Sequence, residues 1–224
     1  MSFNVAIDGP AGAGKSTIAR RIAKELSFIY VDTGAMYRAM AFFFIQNHID
    51  STDTDAITKL CHKADISIEY QNGEQVVILN GENVNAFIRT EEVGNMASAT
   101  SVNGEVRKKL VELQQKLAKN SDVVMDGRDI GTCVLPNAQV KIYLTASSAI
   151  RAKRRYLELT GKGLSADIKK IEADIIERDH RDMTREISPL KQAEDAILVD
   201  SSEMDIEQVV AHMLSIIKTK KETI

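Results

Sequence analysis

Eight residues near the N-terminus, Gly9-Pro10-Ala11-Gly12-Ala13-Gly14-Lys15-Ser16, fill the pattern G-x-x-x-x-G-K-[ST]. The chemistry of that spacing is capture of a phosphate chain. Glycines let the backbone curl so that successive N–H groups converge on one anion, and a following helix adds its unpaired N-terminal donors. A lysine at position 15 reaches β- and γ-phosphates, and the Ser16 hydroxyl suits Mg²⁺. A glycine-rich turn that binds nothing is the alternative. Against it, Asn4–Asp8 reads as a buried strand entering the loop, and Thr17–Leu26 carries Ile18, Ile22, Ala23 and Leu26 at helical spacing. Gly9 to Thr17 is therefore the candidate nucleotide-phosphate site.

Arginine placement is the second chemical signal. Arg151, Arg154 and Arg155 recur at i, i+3, i+4, and Arg178, Arg181 and Arg185 at i, i+3, i+7, around a Gly161-Lys162-Gly163 joint. Guanidinium forks meet phosphate oxygens bidentately, so two such faces suggest a mobile phosphate clamp. The bland reading is a solvated face with Glu177, Asp179 and Asp182 as partners.

These groups need a scaffold, and the chain supplies alternating strands and helices. After Asn4–Asp8 come apolar stretches at 28–31, 122–126, 139–144 and 196–199. Helices are predicted at 17–26, 34–46 (with Thr33 as cap), 55–63, 104–119, 147–160, 165–182 and 205–220. Val106, Leu110, Leu113 and Leu117 mark the inner face of the helix at 104–119. Near 66–85 the period changes to two, around turns at Gln71-Asn72-Gly73-Glu74 and Asn80-Gly81, which predicts a small antiparallel meander. Residues 53–100 read as an insert in an otherwise parallel α/β sheet covered on both faces. Ligands of such sheets bind at the strands' carboxyl ends, which directs attention to the glycine loop, Asp32-Thr33 and Asp126 to Asp129.

Composition bounds the rest. The 224 residues are 44% hydrophobic and 27% charged, within the range of globular proteins. A net charge of −3 argues against general nucleic-acid binding, and no apolar run suits a membrane span. With a strand opening the chain, no signal peptide is expected. Cys61 and Cys133 read as separate free thiols, pointing to a reducing cytoplasm. His48, His62, His180 and His212 show no metal-ligand spacing and take no role.

Taken together, five motifs resemble the bacterial cytidylate kinase family. They are Gly9-Pro10-x-Gly12-x-Gly14-Lys15, Asp32-Thr33-Gly34-Ala35-Met36-Tyr37-Arg38, Ile88-Arg89-Thr90, Asp126-Gly127-Arg128-Asp129-Ile130-Gly131-Thr132 and Glu177-Arg178-Asp179-x-Arg181-Asp182. The resemblance runs from the first strand to the last helix. It implies transfer of the γ-phosphoryl group of ATP to CMP or dCMP, giving ADP and CDP or dCDP, with Mg²⁺, in pyrimidine nucleotide metabolism. It also implies one P-loop NTPase-type three-layer α/β domain over 1–224. That domain has a five-stranded parallel sheet, a monophosphate-binding insert at 53–100 with a small antiparallel sheet, and a helical lid at 147–185. A monomer without nucleic-acid or membrane partners is expected.

The same resemblance assigns roles. Gly9, Pro10, Ala11, Gly12, Ala13, Gly14, Lys15, Ser16 and Thr17 would hold ATP, with Ser16 on Mg²⁺. Arg38 and Arg128 would bind the acceptor phosphate, with Thr33 and Tyr37 nearby. Ser98, Arg107 and Asp129 would read the cytosine edge, aided by Arg185, while Arg178 and Asp182 would meet the sugar hydroxyls. Lys15, Arg128, Arg154, Arg155 and Arg181 are the catalytic candidates for transition-state charge. The chemistry is coherent, because a carboxylate accepts from cytosine's exocyclic amine and faces another acceptor in uracil. Simpler readings stand beside these: Arg107 as an exposed helix former, Ser98 as part of a small-residue packing run, and Tyr37 as a core residue.

Other functions leave different marks. A P-loop switch protein carries Asp-x-x-Gly after a strand and Asn/Thr-Lys-x-Asp for its base, and neither occurs here. A kinase for uridylate, thymidylate or a non-nucleotide acceptor shares the loop and differs in the base-reading set. The density of arginines disfavours a purely regulatory ATP-binding module.

Overall fold

The computed structural model describes residues 2–223. Strand β1 (Asn4–Asp8) buries both of its faces, from Val5 through Asp8, so it needs a covering layer on each side. Strand β6 (Val123–Gly127) is buried along its whole length. β1 pairs in parallel with β6 (Val5 opposite Val124) and with β7 (Val140–Thr145; Val5 opposite Val140). With β2 (Ile29–Asp32) and β8 (Ile197–Asp200) these form the five-stranded sheet, in the order β2-β6-β1-β7-β8. β8 is one of the two edges, and only its Val199 is buried. The fold class is thus the α/β one that the sequence implies.

The chain divides into two compact units. The first joins Phe3–Ile29 to the chain from Asp122 onward. In it, α1 (Lys15–Leu26) packs on β6 and on α8 (Ile206–Glu222), whose start is fixed by an Asp205/Gln208 capping box. Two further helices, α6 (Ser148–Gly161) and α7 (Ile168–Thr184), pack on each other. The Asp167 side chain accepts from the N–H groups of Lys169 and Lys170, so α7 begins three residues later than the expected Ser165. Gly163 takes the left-handed conformation (φ +75°) in the turn between the two helices.

The second unit spans Tyr30–Ser121. Its central helix α2 (Thr33–Gln46) buries Met36, Ala39, Met40, Phe43 and Phe44. The cap of α2 is Asp32 rather than Thr33, because the Asp32 carboxylate reaches the Ala35 N–H at 2.8 Å and carries charge that favours a helix N-terminus. The meander is β3 (Ile66–Gln71), β4 (Glu74–Leu79) and β5 (Glu82–Asn83), antiparallel throughout, with Ile68 opposite Val77. Asn72 and Gly73 both take positive φ in its first turn, as a two-residue hairpin requires. Three helices complete the unit: α3 (Thr54–Cys61), α4 (Glu91–Thr100) and α5 (Gly104–Lys119). α4 packs on α2, and α5 on α3.

The inner face of α5 is rotated from the expected one. Val106, Arg107, Leu110, Gln114 and Ala118 are buried, whereas Leu113 and Leu117 are only half-buried. Both cysteines are free. Among the described residues, no helix is long and apolar enough to cross a membrane.

Candidate active site

In the first unit, the phosphate loop leaves β1 and opens α1. Its glycines are structural necessities at two points. A side chain on Gly9 would lie 1.9 Å from the Leu144 carbonyl oxygen, and Gly14 caps α1 at φ +87°. Ala11 is buried between them, and Thr17, on the outer side of the first turn, is exposed. Lys15 is buried and donates from Nζ to the Pro10 carbonyl at 2.7 Å. Burial, and then the neighbouring Arg128 charge, push its ammonium well below the ordinary lysine value, and an anion at the loop would favour the charged form. Ser16 Oγ donates to Asp126 Oδ2 at 2.9 Å, placing a hydroxyl and a carboxylate side by side at the end of β6.

After β6 the chain forms a single π-helical turn at Ile130–Val134. Its two leading N–H groups, of Ile130 and Gly131, donate to the two oxygens of Asp8 at 2.8 and 2.7 Å. Asp129 occupies the cap position of this turn and makes no capping hydrogen bond to it. The cap comes instead from β1, and the Asp129 carboxylate faces Arg185 Nη2 at 3.8 Å. Burial raises the Asp8 carboxyl from 3.8 to about 6, against the pull of the two N–H donors and Lys15 and with a contribution from Asp129.

Helix α7 closes this cluster. Arg128 Nε donates to Asp182 Oδ2 at 2.9 Å, and Arg185 Nη1 lies 3.8 Å from Asp182 Oδ1. Burial lifts the Asp182 carboxyl, but the charges of Arg128, Arg178 and Arg185 outweigh that and hold it below the ordinary value. Arg185 lies just past the end of α7, in extended conformation, with Nε on the Ser188 carbonyl at 2.7 Å. It therefore does not share a helical face with Arg178 and Arg181.

The other expected arginine face also divides. Arg151 is buried, and Arg154 donates to Ser201, to Oγ at 3.3 Å and to the carbonyl at 2.7 Å. Arg155 is exposed and pairs with Glu158 at 2.8 Å, as Arg181 does with Glu177 at the same distance.

In the second unit, Asp32 is a hub. Arg38 meets its Oδ2 at 3.1 Å and Arg89 meets the same oxygen at 3.5 Å. From β4, the Gln75 amide accepts from the Asp32 N–H at 2.8 Å and donates to the Asp32 carbonyl at 3.2 Å. Arg38 Nε is buried with no hydrogen-bond partner among the described residues, a donor suited to an anion. Thr33 is buried in the first turn of α2. Arg107 is only 3% exposed, which sets aside its reading as an exposed helix former. Its guanidinium lies 5.5 Å from the centre of the Tyr37 ring and donates to the Ser101 carbonyl at 3.2 Å. The Ser101 hydroxyl in turn donates to the Ser98 backbone carbonyl at 3.0 Å, which links Ser98, through its main chain, to Arg107 and the half-buried Tyr37.

The sequence reading assigns no role to Asp8 and no individual one to Asp126 or Arg89, and it counts Arg151 only as part of a phosphate-clamp face and Asp179 only as a solvated ion partner. Asp8 and Asp126 carried a signal, since each ends an apolar strand at its carboxyl end. Arg89 sat in a quoted motif. Nothing local distinguished Arg151 or Asp179 from their neighbours.

A buried lysine on a glycine loop, a serine–carboxylate pair at the end of β6 and the charge of Arg128 near that lysine are the groups a phosphotransferase site needs, on a P-loop kinase fold. Two solved structures share that fold. They are a shikimate kinase from Bacteroides thetaiotaomicron (TM-score 0.50, 12% identity, 96% of this chain and 98% of that one) and a gluconokinase from Sinorhizobium meliloti (TM-score 0.53, 13% identity, 99% and 94%). A cytidylate kinase family model matches residues 5–219. The cytidylate kinase of Lactobacillus gasseri is 51% identical over 98% of this chain and 96% of its own. That of Carboxydothermus hydrogenoformans is 50% identical over 99% and 100%. The chain belongs to the cytidylate kinase family.

Proposed function

We propose that this protein transfers the γ-phosphoryl group of ATP to CMP or dCMP, giving ADP and CDP or dCDP. The observation that carries this reading is the buried Asp129 carboxylate. It is 5% exposed, stands beside Arg185 at the carboxyl end of β6, and is an acid of the kind that would accept from an exocyclic amine. Arg107 and Ser98 would complete the reading of the base, and Arg178 and Asp182 would hold the sugar. Arg38 and Arg128 would hold the acceptor phosphate, with Thr33 and Tyr37 lining it. Residues 53–100 then act as the monophosphate-binding insert and 147–185 as the lid.

In the reaction, an ionised oxygen of the acceptor phosphate bonds to Pγ while the bond from Pγ to the β,γ-bridging oxygen breaks, its electrons leaving on ADP. No general base is needed. Lys15 and the loop N–H groups hold the transferring group, and the arginines, Arg128 first and Arg154, Arg155 and Arg181 from the lid, offset charge on its oxygens. Mg²⁺ fits the Ser16–Asp126 pair, two hard oxygen groups at a strand end, since this ion is held by one or two protein oxygens plus phosphates. It would supply charge neutralisation across the phosphates.

The test is ADP release with ATP·Mg²⁺ and CMP, dCMP, UMP, dTMP or AMP in turn. Preference for CMP and dCMP is expected. Robust turnover of UMP or dTMP would remove the cytosine site from this reading, and no turnover with any of the five would remove the reading itself.

A further inference from the structure

Arg151 and Asp179 have no part in the roles above, yet both are buried, at 5% and 8% exposure. Arg151, in the first turn of α6, uses its whole guanidinium. Nε donates to the Ala146 carbonyl at 2.9 Å, Nη1 donates to the Ala11 carbonyl at 2.8 Å, and Nη2 meets Asp179 Oδ2 at 2.6 Å. The second oxygen of Asp179 accepts from the Ala11 N–H at 3.3 Å. One ion pair therefore holds both backbone polar groups of Ala11, in the middle of the phosphate loop. Its opposite charges cancel, so it contributes geometry to the anion site and little net field.

Three residues on, on the same face of α7, Asp182 holds Arg128 at 2.9 Å. A single turn of α7 thus grips the phosphate loop through Asp179 and the Arg128–Asp129 loop through Asp182. Neither loop can shift against α7 without breaking a buried or part-buried, charge-assisted hydrogen bond.

We propose that Arg151 and Asp179 are positioning residues that tie the phosphate loop to the turn of α7 bearing Arg178 and Asp182, so that binding at either nucleotide site strengthens binding at the other. The identity of the two ligands rests on the proposed function; the tie itself does not. Coupling of this kind is reciprocal and measurable as one ratio.

The test uses the full chain and a double variant, Arg151→Met with Asp179→Leu. Replacing a buried ion pair by apolar residues of similar volume is often neutral in stability, where removing one partner is strongly destabilising. The first readout is the Kd of a non-hydrolysable ATP analogue without and with saturating CMP. The wild-type ratio is expected to be at least about fivefold. In the double variant it should fall to near one, with melting temperature and affinity for CMP alone close to wild type. A merely structural pair would leave the ratio untouched, and an unchanged ratio overturns the proposal, as does a wild-type ratio of one. The second readout is amide exchange at Ala11, protected in the wild type and fast in the double variant. If the wild type binds neither nucleotide, the functional reading fails, and Ala11 exchange still decides the tie: equal rates in the two proteins overturn it.

Discussion

The two ends of the helix pair α6 and α7 are built from the same residue types and behave in opposite ways. At the root, beside the phosphate loop, Arg151, Asp179 and Asp182 are buried and each is bonded to a loop or to a partner that holds one. At the tip, Glu158 pairs with both Arg155 and Lys162 in solvent, and Leu157 and Leu164 stand 57% and 54% exposed. A charge at the root fixes the position of backbone that must meet a nucleotide. A charge at the tip pairs with its neighbours in solvent and fixes no backbone of the loops. The difference lies in what covers each helix, not in what the helix is made of.

The sharpest way to break this contrast is to truncate one arginine at each end. Arg151→Ala leaves the Asp179 carboxylate buried without its ion partner, and should cost about 3–5 kcal/mol in urea unfolding. Arg155→Ala should cost under about 0.5 kcal/mol. Similar losses at both positions would mean that the root is not special.

A second prediction concerns carboxylates under the same degree of burial. Asp182, ringed by arginines, is held low, whereas Asp8 is raised from 3.8 to about 6. A raised carboxyl binds its proton more tightly in the folded state. Its stabilising contribution is therefore complete below the unfolded value and is lost as pH rises through about 6. The shift corresponds to about 3 kcal/mol over that window. Asp182 acts in the reverse sense, its contribution present above the ordinary carboxylate value and lost as pH falls through the folded one. Unfolding free energies measured from pH 4 to 7 should show the Asp8 slope, and Asp8→Asn should flatten it, with a constant loss because the amide accepts only one of the two N–H bonds from Ile130 and Gly131. A slope that survives the substitution would place the titration on another group.

How far the sequence disclosed all this follows the same division. The phosphate loop, the alternation of strands and helices, and the meander were legible because each has a local signature: glycine spacing, apolar runs, a change of period. The root of α6 and α7 was not. Residues at i, i+3 and i+4 share a face in any helix, but Arg151, Arg154 and Arg155 meet Asp179, Ser201 and Glu158, because different elements lie over successive turns. The Asp8 cap joins residues 122 and 123 positions apart, so no window of sequence contains it. The simpler reading of Arg107 as an exposed helix former fails because the residue lies beside the buried side of α5, which the stripe through Leu113 and Leu117 does not mark. The buried line instead follows Val106, Leu110, Gln114 and Ala118, and Arg107 lies beside it.

A smaller effect belongs to the turn at the tip. Gly163 holds φ +75°, and a side chain there would meet nothing within 4 Å. Gly163→Ala should therefore cost only the left-handed backbone penalty, about 1 kcal/mol, without a steric one. The Kd for an ATP analogue should stay at the wild-type value. A weakened Kd would show that the conformation of the tip is transmitted to the root.

The smallest expected effect is at Glu158. Hydrogen bonds from Lys162 and Arg155 hold its carboxyl below the ordinary value, so the contribution of these pairs is present above that value and is lost as pH falls through the folded one. The side chains of all three are about half exposed or more, and solvent screening leaves each such pair worth under about 0.5 kcal/mol. Glu158→Gln should change the unfolding free energy by no more than that in low salt, and the difference should vanish in molar salt, where the Debye length shrinks to about 3 Å. Nucleotide affinities and turnover should not move. A fall in turnover with an unchanged fold would mean that the arginine beside Glu158 is positioned by it for the transferring phosphate, and the tip would then have to be counted with the root.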